Sequence, residues 1–105
     1  MAVTWALSIH PELWDDADDA IDYYAGVEDD LPQRFMDELR ASFAFIRSWP
    51  LAGRTFYGGY RRVALKRFPY LVCYWVVGDT VRLLAVVHNR RDPKWVRARL
   101  ATRAR

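Results

Sequence analysis

Leu65–Trp95 reads LKRFPYLVCYWVVGDTVRLLAVVHNRRDPKW, and this stretch decides the fold. Tyr70–Val77 is an unbroken run of aromatic and β-branched residues, the composition of a central strand covered on at least one face. Gly78-Asp79 is a two-residue hairpin signal, with glycine supplying the positive φ that a type II′ turn needs at its first central position. Thr80–Val87 then returns antiparallel. His88, Asn89, Arg90 and Arg91 fall where this strand ends, so their side chains leave the sheet and can reach a partner.

Working outward, Phe68-Pro69 turns the chain into the central strand, and Arg61–Arg67 alternates, with Val63 and Leu65 on one side and Arg62, Ala64 and Lys66 on the other. Leu51–Gly59 reads as a loop. Upstream, Asp30 is a candidate cap and Pro32 a first-turn residue for a helix carrying Phe35, Met36, Leu39, Phe43 and Ile46, ended by Trp49-Pro50. A first helix begins at Pro11. Leu13, Ala17, Ile21 and Tyr24 share one of its faces, Glu12, Asp15 and Asp16 suit its positive pole, and Gly26 ends it. Thr4–Ile9 alternates weakly and reads as a first strand. The order β-α-α-β-β-β predicts an α+β domain over residues 1–105, a helical hairpin packed on a small antiparallel sheet. After Pro93, Lys94–Leu100 predicts a short basic helix, and residues 101–105 a flexible tail.

The chain of 105 residues has a net charge of +3 that conceals a division. Residues 1–50 hold 3 Lys/Arg against 11 Asp/Glu, and residues 51–105 hold 13 against 2, so a half at −8 precedes a half at +11. The second half is suited to an anionic partner: nucleic acid, the ribosome or an acidic protein. Cys73 lies inside the apolar run and reads as a small core residue, and without a disulfide framework a reducing cytoplasm fits. The first ten residues lack the pattern of a signal peptide, and no apolar stretch reaches the roughly 20 residues that span a bilayer.

Catalytic sets are sparse. His10 and His88 are the only histidines, and no Cys/His spacing suggests zinc. Gly58-Gly59 precedes a strand, where a phosphate-binding loop would precede a helix. The aspartates between positions 15 and 22 read as a solvated helix face. What remains is the basic set Arg61, Arg62, Lys66, Arg67, His88, Arg90 and Arg91. Metal-free RNA cleavage needs a base, an acid and cations around the phosphorus, and of these arginine and lysine supply the cations. A docking surface for an acidic protein is the simpler use of the same residues.

The basic strand, the FPY turn, the aromatic central strand and HNRRDP followed by an aromatic residue together resemble the RelE/ParE family of bacterial type II toxins. The resemblance covers most of the chain and is strongest from Tyr60 to Trp95. It implies the β-α-α-β-β-β fold and neutralisation by a cognate antitoxin. RelE-like members are ribosome-dependent mRNA endonucleases, whereas ParE-like members inhibit DNA gyrase without being hydrolases. Arg62 and Arg90 match positions of the RelE-like set. Ala64 stands where a second strand cation is expected, Leu71 where an arginine follows the turn tyrosine, and Trp95 or Val96 near the expected C-terminal tyrosine; an indole only donates and cannot act as a base.

The resemblance therefore implies a ParE-like toxin of the cytoplasm that is not an enzyme, needs no metal or cofactor, and binds a large target, gyrase first. His88, Arg90 and Arg91 would contact the target, and Arg61, Lys66 and Arg67 the acidic residues of an antitoxin. No membrane association and no stable binding to DNA alone are expected. The alternatives are a RelE-like, metal-independent mRNA endonuclease using Arg62, His88 and Arg90, and an inactive relative that only binds antitoxin.

Overall fold

The computed structural model describes residues 5–105; Thr4, read as the start of the first strand, lies outside them. The elements are β1 (Ala6–Ile9), α1 (Pro11–Ala25), α2 (Leu31–Ser48), β2 (Arg54–Phe56), β3 (Tyr60–Ala64), β4 (Tyr70–Val77), β5 (Thr80–His88) and α3 (Pro93–Arg103). They form one five-stranded sheet in the order β1-β5-β4-β3-β2. All neighbours are antiparallel except β1, which pairs parallel with β5, Ala6 opposite Thr80 and Ile9 opposite Leu83.

The β4–β5 hairpin forms as its sequence predicts. Val77 pairs with Thr80 across Gly78-Asp79, and Gly78 holds φ +61°. The pairing then slips, because Cys73 faces Ala85 while Tyr74 faces Leu83. Leu84 is the extra residue of a β-bulge, so Leu84 and Ala85 both point to the same side. The slip shifts the alternation of β5, whose two faces are each covered by helices. Val81, Leu83 and Val86 pack with Val72, Tyr74, Leu13, Leu39 and Ile46 beneath α1 and α2. Leu84, Ala85 and Val87 pack with Cys73, Val96 and Leu100 beneath α3. The sheet is therefore covered on both sides, with α3 adding a layer that the expected hairpin-on-sheet design lacked.

Four sequence expectations need correction. The segment read as a loop contains β2, paired with β3 across Tyr57-Gly58-Gly59, all three at positive φ. β3 stops at Ala64, and Leu65 turns inward to the core. Asp30 precedes α2 but makes no capping hydrogen bond; its carboxylate pairs with Arg34, 3.4 Å away. Ala101–Arg103 is the last turn of α3 and not a loose tail, with Arg103 only 4% exposed.

Arg103 also corrects the reading of the aspartates as a solvated face. Its guanidinium makes a two-pronged pair with Asp16, at 2.6 and 3.0 Å, and both side chains are buried. The pair sits against the bulge. Asp16 accepts the Val86 N–H (3.0 Å), and Arg103 donates to the Leu84 carbonyl (3.1 Å). β1 covers the outer edge of β5 only as far as Leu83, so these two side chains take up strand hydrogen bonds that have no neighbouring strand. Burial pulls the Arg103 pKa down, but hydrogen bonds to Asp16 and the charges of Asp16, Glu12 and Asp15 hold it above its ordinary value.

Candidate target-binding and partner-binding surfaces

HNRRDP builds the passage from β5 into α3. The Asn89 N–H donates to the Pro69 carbonyl (2.8 Å), and the Arg90 N–H donates to His88 Nδ1 (3.1 Å). Asp92 caps α3 by accepting the Lys94 N–H (2.9 Å), and Pro93 occupies its first turn. Asp92 is thus a cap and does not pair with Arg90 or Arg91; neither arginine makes an ion pair among the described residues. Arg91 lies over the Trp95 ring at 4.2 Å, and Arg99 lies over the same ring at the same distance. Such stacking fixes the guanidinium plane while leaving its N–H groups for a ligand. Arg90 is exposed.

The three residues of the alternative endonuclease reading are only partly brought together. Arg62 and His88 line one small cavity of about 80 Å³ with Tyr57, Asn89 and Arg91, and Arg90 lies outside its lining. Arg62 rests over Phe56, 5.3 Å away. Burial pushes the Cys73 thiol in the floor up to about 12, partly offset by the nearby Arg62 charge. The neighbouring cleft, about 380 Å³, is lined by Arg54, Arg62, Ala64, Leu71 and Asn89. Arg54, which a loop over Leu51–Gly59 does not single out, sits directly opposite Arg62. The sequence TFYGGY, a Gly-Gly turn between aromatic residues, was the available signal for that hairpin.

Arg61, Lys66 and Arg67 separate. Arg61 is half-buried and donates to the carbonyls of Leu51 (3.0 Å) and Gly53 (2.9 Å), tying down the segment before β2. Lys66 and Arg67 line a cavity of about 500 Å³ beside α2 with Leu31, Arg34, Asp37, Glu38 and Phe68. The Arg67 N–H donates to the Glu38 carboxylate (2.7 Å). Lys66 also borders a more apolar groove of about 330 Å³ between α2 and β3, where Phe45, Ala41, Ser42, Val63 and Leu65 form the walls and floor. Phe45 is 46% exposed there, the kind of apolar surface a partner covers.

His10, the other histidine, caps α1 by accepting the Glu12 N–H at Nδ1 (3.1 Å). Among the described residues no group of His, Cys, Asp or Glu is placed to hold a metal ion, and no helix is long and apolar enough to cross a membrane.

Residues 7–93 match the family model described as ParE toxin of type II toxin-antitoxin system, parDE. The chain belongs to the ParE toxin family. Two curated relatives, each named Toxin ParE2, come from Mycobacterium tuberculosis strains CDC 1551 / Oshkosh and ATCC 25618 / H37Rv. Each is 30% identical to this chain over 105 aligned residues, covering 96% of this chain and 97% of theirs. A solved structure from P. aeruginosa, named Chromosomal ParDE TA system, superposes with a TM-score of 0.71 at 18% identity, covering 83% of this chain and 98% of that one. At that identity the likeness concerns the fold. The matched region ends at the Pro93 that opens α3, so α3 and its clasp on Asp16 lie almost wholly beyond the family match.

Proposed function

We propose that this ParE-family chain inhibits growth in the cytoplasm by binding a large target, DNA gyrase first, without catalysing a reaction, and that a co-encoded antitoxin neutralises it. The observation that carries this reading is the pair Arg90 and Arg91 at the end of β5, with no ion-pair partner among the described residues. A planar guanidinium held on an indole is suited to carboxylate or phosphate on a partner. His88, whose Nδ1 is engaged by the Arg90 backbone, orders that turn. The α2–β3 groove, with Phe45 in its wall and Lys66 and Arg67 at its end, is the proposed antitoxin surface.

The test is a pair of assays on the purified protein: gyrase supercoiling, and cleavage of mRNA on the ribosome. Inhibition of supercoiling that is lost in the Arg90→Ala/Arg91→Ala double variant, with little change in melting temperature, supports the proposal. Ribosome-dependent cleavage without an effect on gyrase refutes it in favour of the endonuclease built on Arg62, His88 and Arg90, with Arg91 rather than Arg90 beside the cavity that Arg62 and His88 share. Activity in neither assay leaves the antitoxin-binding module.

A further inference from the structure

β2 is shorter than the strand it pairs with, and this leaves a notch in the sheet. Arg54 is its first residue and faces Arg62, so among the described residues no strand lies beside Ala64 on the edge away from β4. On the other side of β3, the Leu65 N–H donates to the Tyr70 carbonyl (2.9 Å). Antiparallel strands alternate the direction of their backbone groups, so the N–H and C=O of Ala64 point away from β4 into the notch. An open strand edge of this kind is a template for another chain.

The two faces of the sheet differ sharply at this point. Ala64 borders a cavity on each of them. On the helix side lies the groove of about 330 Å³ walled by Phe45 and floored by Val63 and Leu65. On the opposite side lies the cleft with Arg54, Arg62 and Asn89. Arg54 and Arg62 are like charges directly across an antiparallel pair, an arrangement that is unfavourable by itself. Among the described residues neither has a carboxylate within ion-pair distance. A strand laid in the notch would send alternate side chains to these two faces.

We infer that the notch beside Ala64 takes an extended segment of a partner protein in which apolar and acidic residues alternate, the apolar ones entering the Phe45–Val63 groove and the acidic ones meeting Arg54 and Arg62. The inference rests on the proposed antitoxin partnership and names the part of that partner's sequence that binds here. It makes Arg54 and Arg62 a carboxylate site, separate from the target contact at Arg90 and Arg91. Alternation is the discriminating feature: a helix laid in the groove would satisfy neither the Ala64 backbone nor the arginine pair on the far face.

The probe is the purified product of the reading frame adjacent to this one, titrated calorimetrically onto the full chain, with amide exchange measured in the free and bound protein. Binding should protect the Ala64 amide. Ala64→Pro, which removes an outward-facing donor at an open edge, should weaken binding about tenfold. Arg54→Glu and Arg62→Glu leave the backbone untouched, guard against a folding defect in the proline variant, and should each weaken binding at least tenfold, whereas Arg90→Ala should not. Tight binding that ignores all three variants and leaves the Ala64 amide exchanging freely overturns the strand site while leaving the antitoxin reading intact. No binding at all overturns both. Protection of the Ala64 amide by self-association of the free chain overturns the assignment to a partner.

Discussion

Breaking the Asp16–Arg103 pair should be among the most damaging single changes available in this chain. Removing one partner of a buried pair costs about 3–5 kcal/mol, because the remaining charge is left without compensation. The two ends are not equivalent here. Asp16→Ala leaves a buried guanidinium whose nearest acid is Glu12 at 3.4 Å, a side chain 60% exposed, and it orphans the Val86 N–H at the bulge. Arg103→Met leaves a carboxylate that still accepts from Val86 and still has Arg99 at 3.5 Å. Asp16→Ala should therefore cost about 4–5 kcal/mol and Arg103→Met about 3 kcal/mol. Urea unfolding of both variants and of the Asp16→Ala/Arg103→Met double variant measures this directly. The double variant carries no buried charge, so it should lose less than the two single losses combined, by at least about 2 kcal/mol. Single losses below about 1 kcal/mol, or strictly additive losses, would refute the argument that the pair closes the edge of β5.

Packing and titration give further outcomes. A Cβ at Gly53 would fall 2.2 Å from the Tyr74 hydroxyl, which accepts the Gly53 N–H and donates to the Pro50 carbonyl, so Gly53→Ala should lower stability by about 2 kcal/mol or more; Gly58→Ala, at φ +71° with open space around it, should cost about 1 kcal/mol in a thermal melt. Tyr74→Phe removes both of those hydrogen bonds without opening space, and an urea titration should show a loss of about 1–3 kcal/mol. With its thiol near 12 against 9.0 when exposed, Cys73 should react with iodoacetamide at pH 8 about a thousandfold more slowly in the folded chain than in urea. Because that pKa is raised by folding, its contribution to stability is intact below pH 9 and falls as the pH climbs toward 12, so the urea midpoint should drop over that window.

The parts of the fold that were legible in the sequence are those with a local signal. The apolar run Tyr70–Val77, the Gly78-Asp79 turn and the 3–4 spacing of α1 and α2 each report on neighbours a few residues away. What escaped is held by distant partners. Nothing near Asp16 names its partner, which is 87 residues away. Yet Val96, Leu100 and Arg103 share a helical stripe, as do Leu13, Asp16, Ala17 and Ala20, so each charge stands inside an apolar face. That misfit was readable, and its meaning required both helices. The site divides in the same way. The exposed end of β5 follows from a strand ending in cations, whereas the bonds of Arg61 to the Leu51 and Gly53 carbonyls are illegible because those acceptors belong to an irregular segment with no periodicity.

The parallel pairing of β1 with β5 sets the order in which this molecule can come into being. Residues 6–9 find their partners only at residues 80–83. At a synthesis rate of about 5–20 residues per second, some 4–15 seconds separate the two strands on a translating ribosome. Through that interval the apolar faces of α1 and α2 lack β5, the strand that joins β1 to the rest of the sheet, and the guanidinium that closes the edge of β5 comes later still, from Arg103. Such long-range closure is slow, because its entropy must be met before the contacts reward it. The folded surfaces thus arise together, once α3 has been made, and a variant lacking α3 would keep its hairpins while losing both the cover over Leu84 and Ala85 and the clasp between α1 and α3.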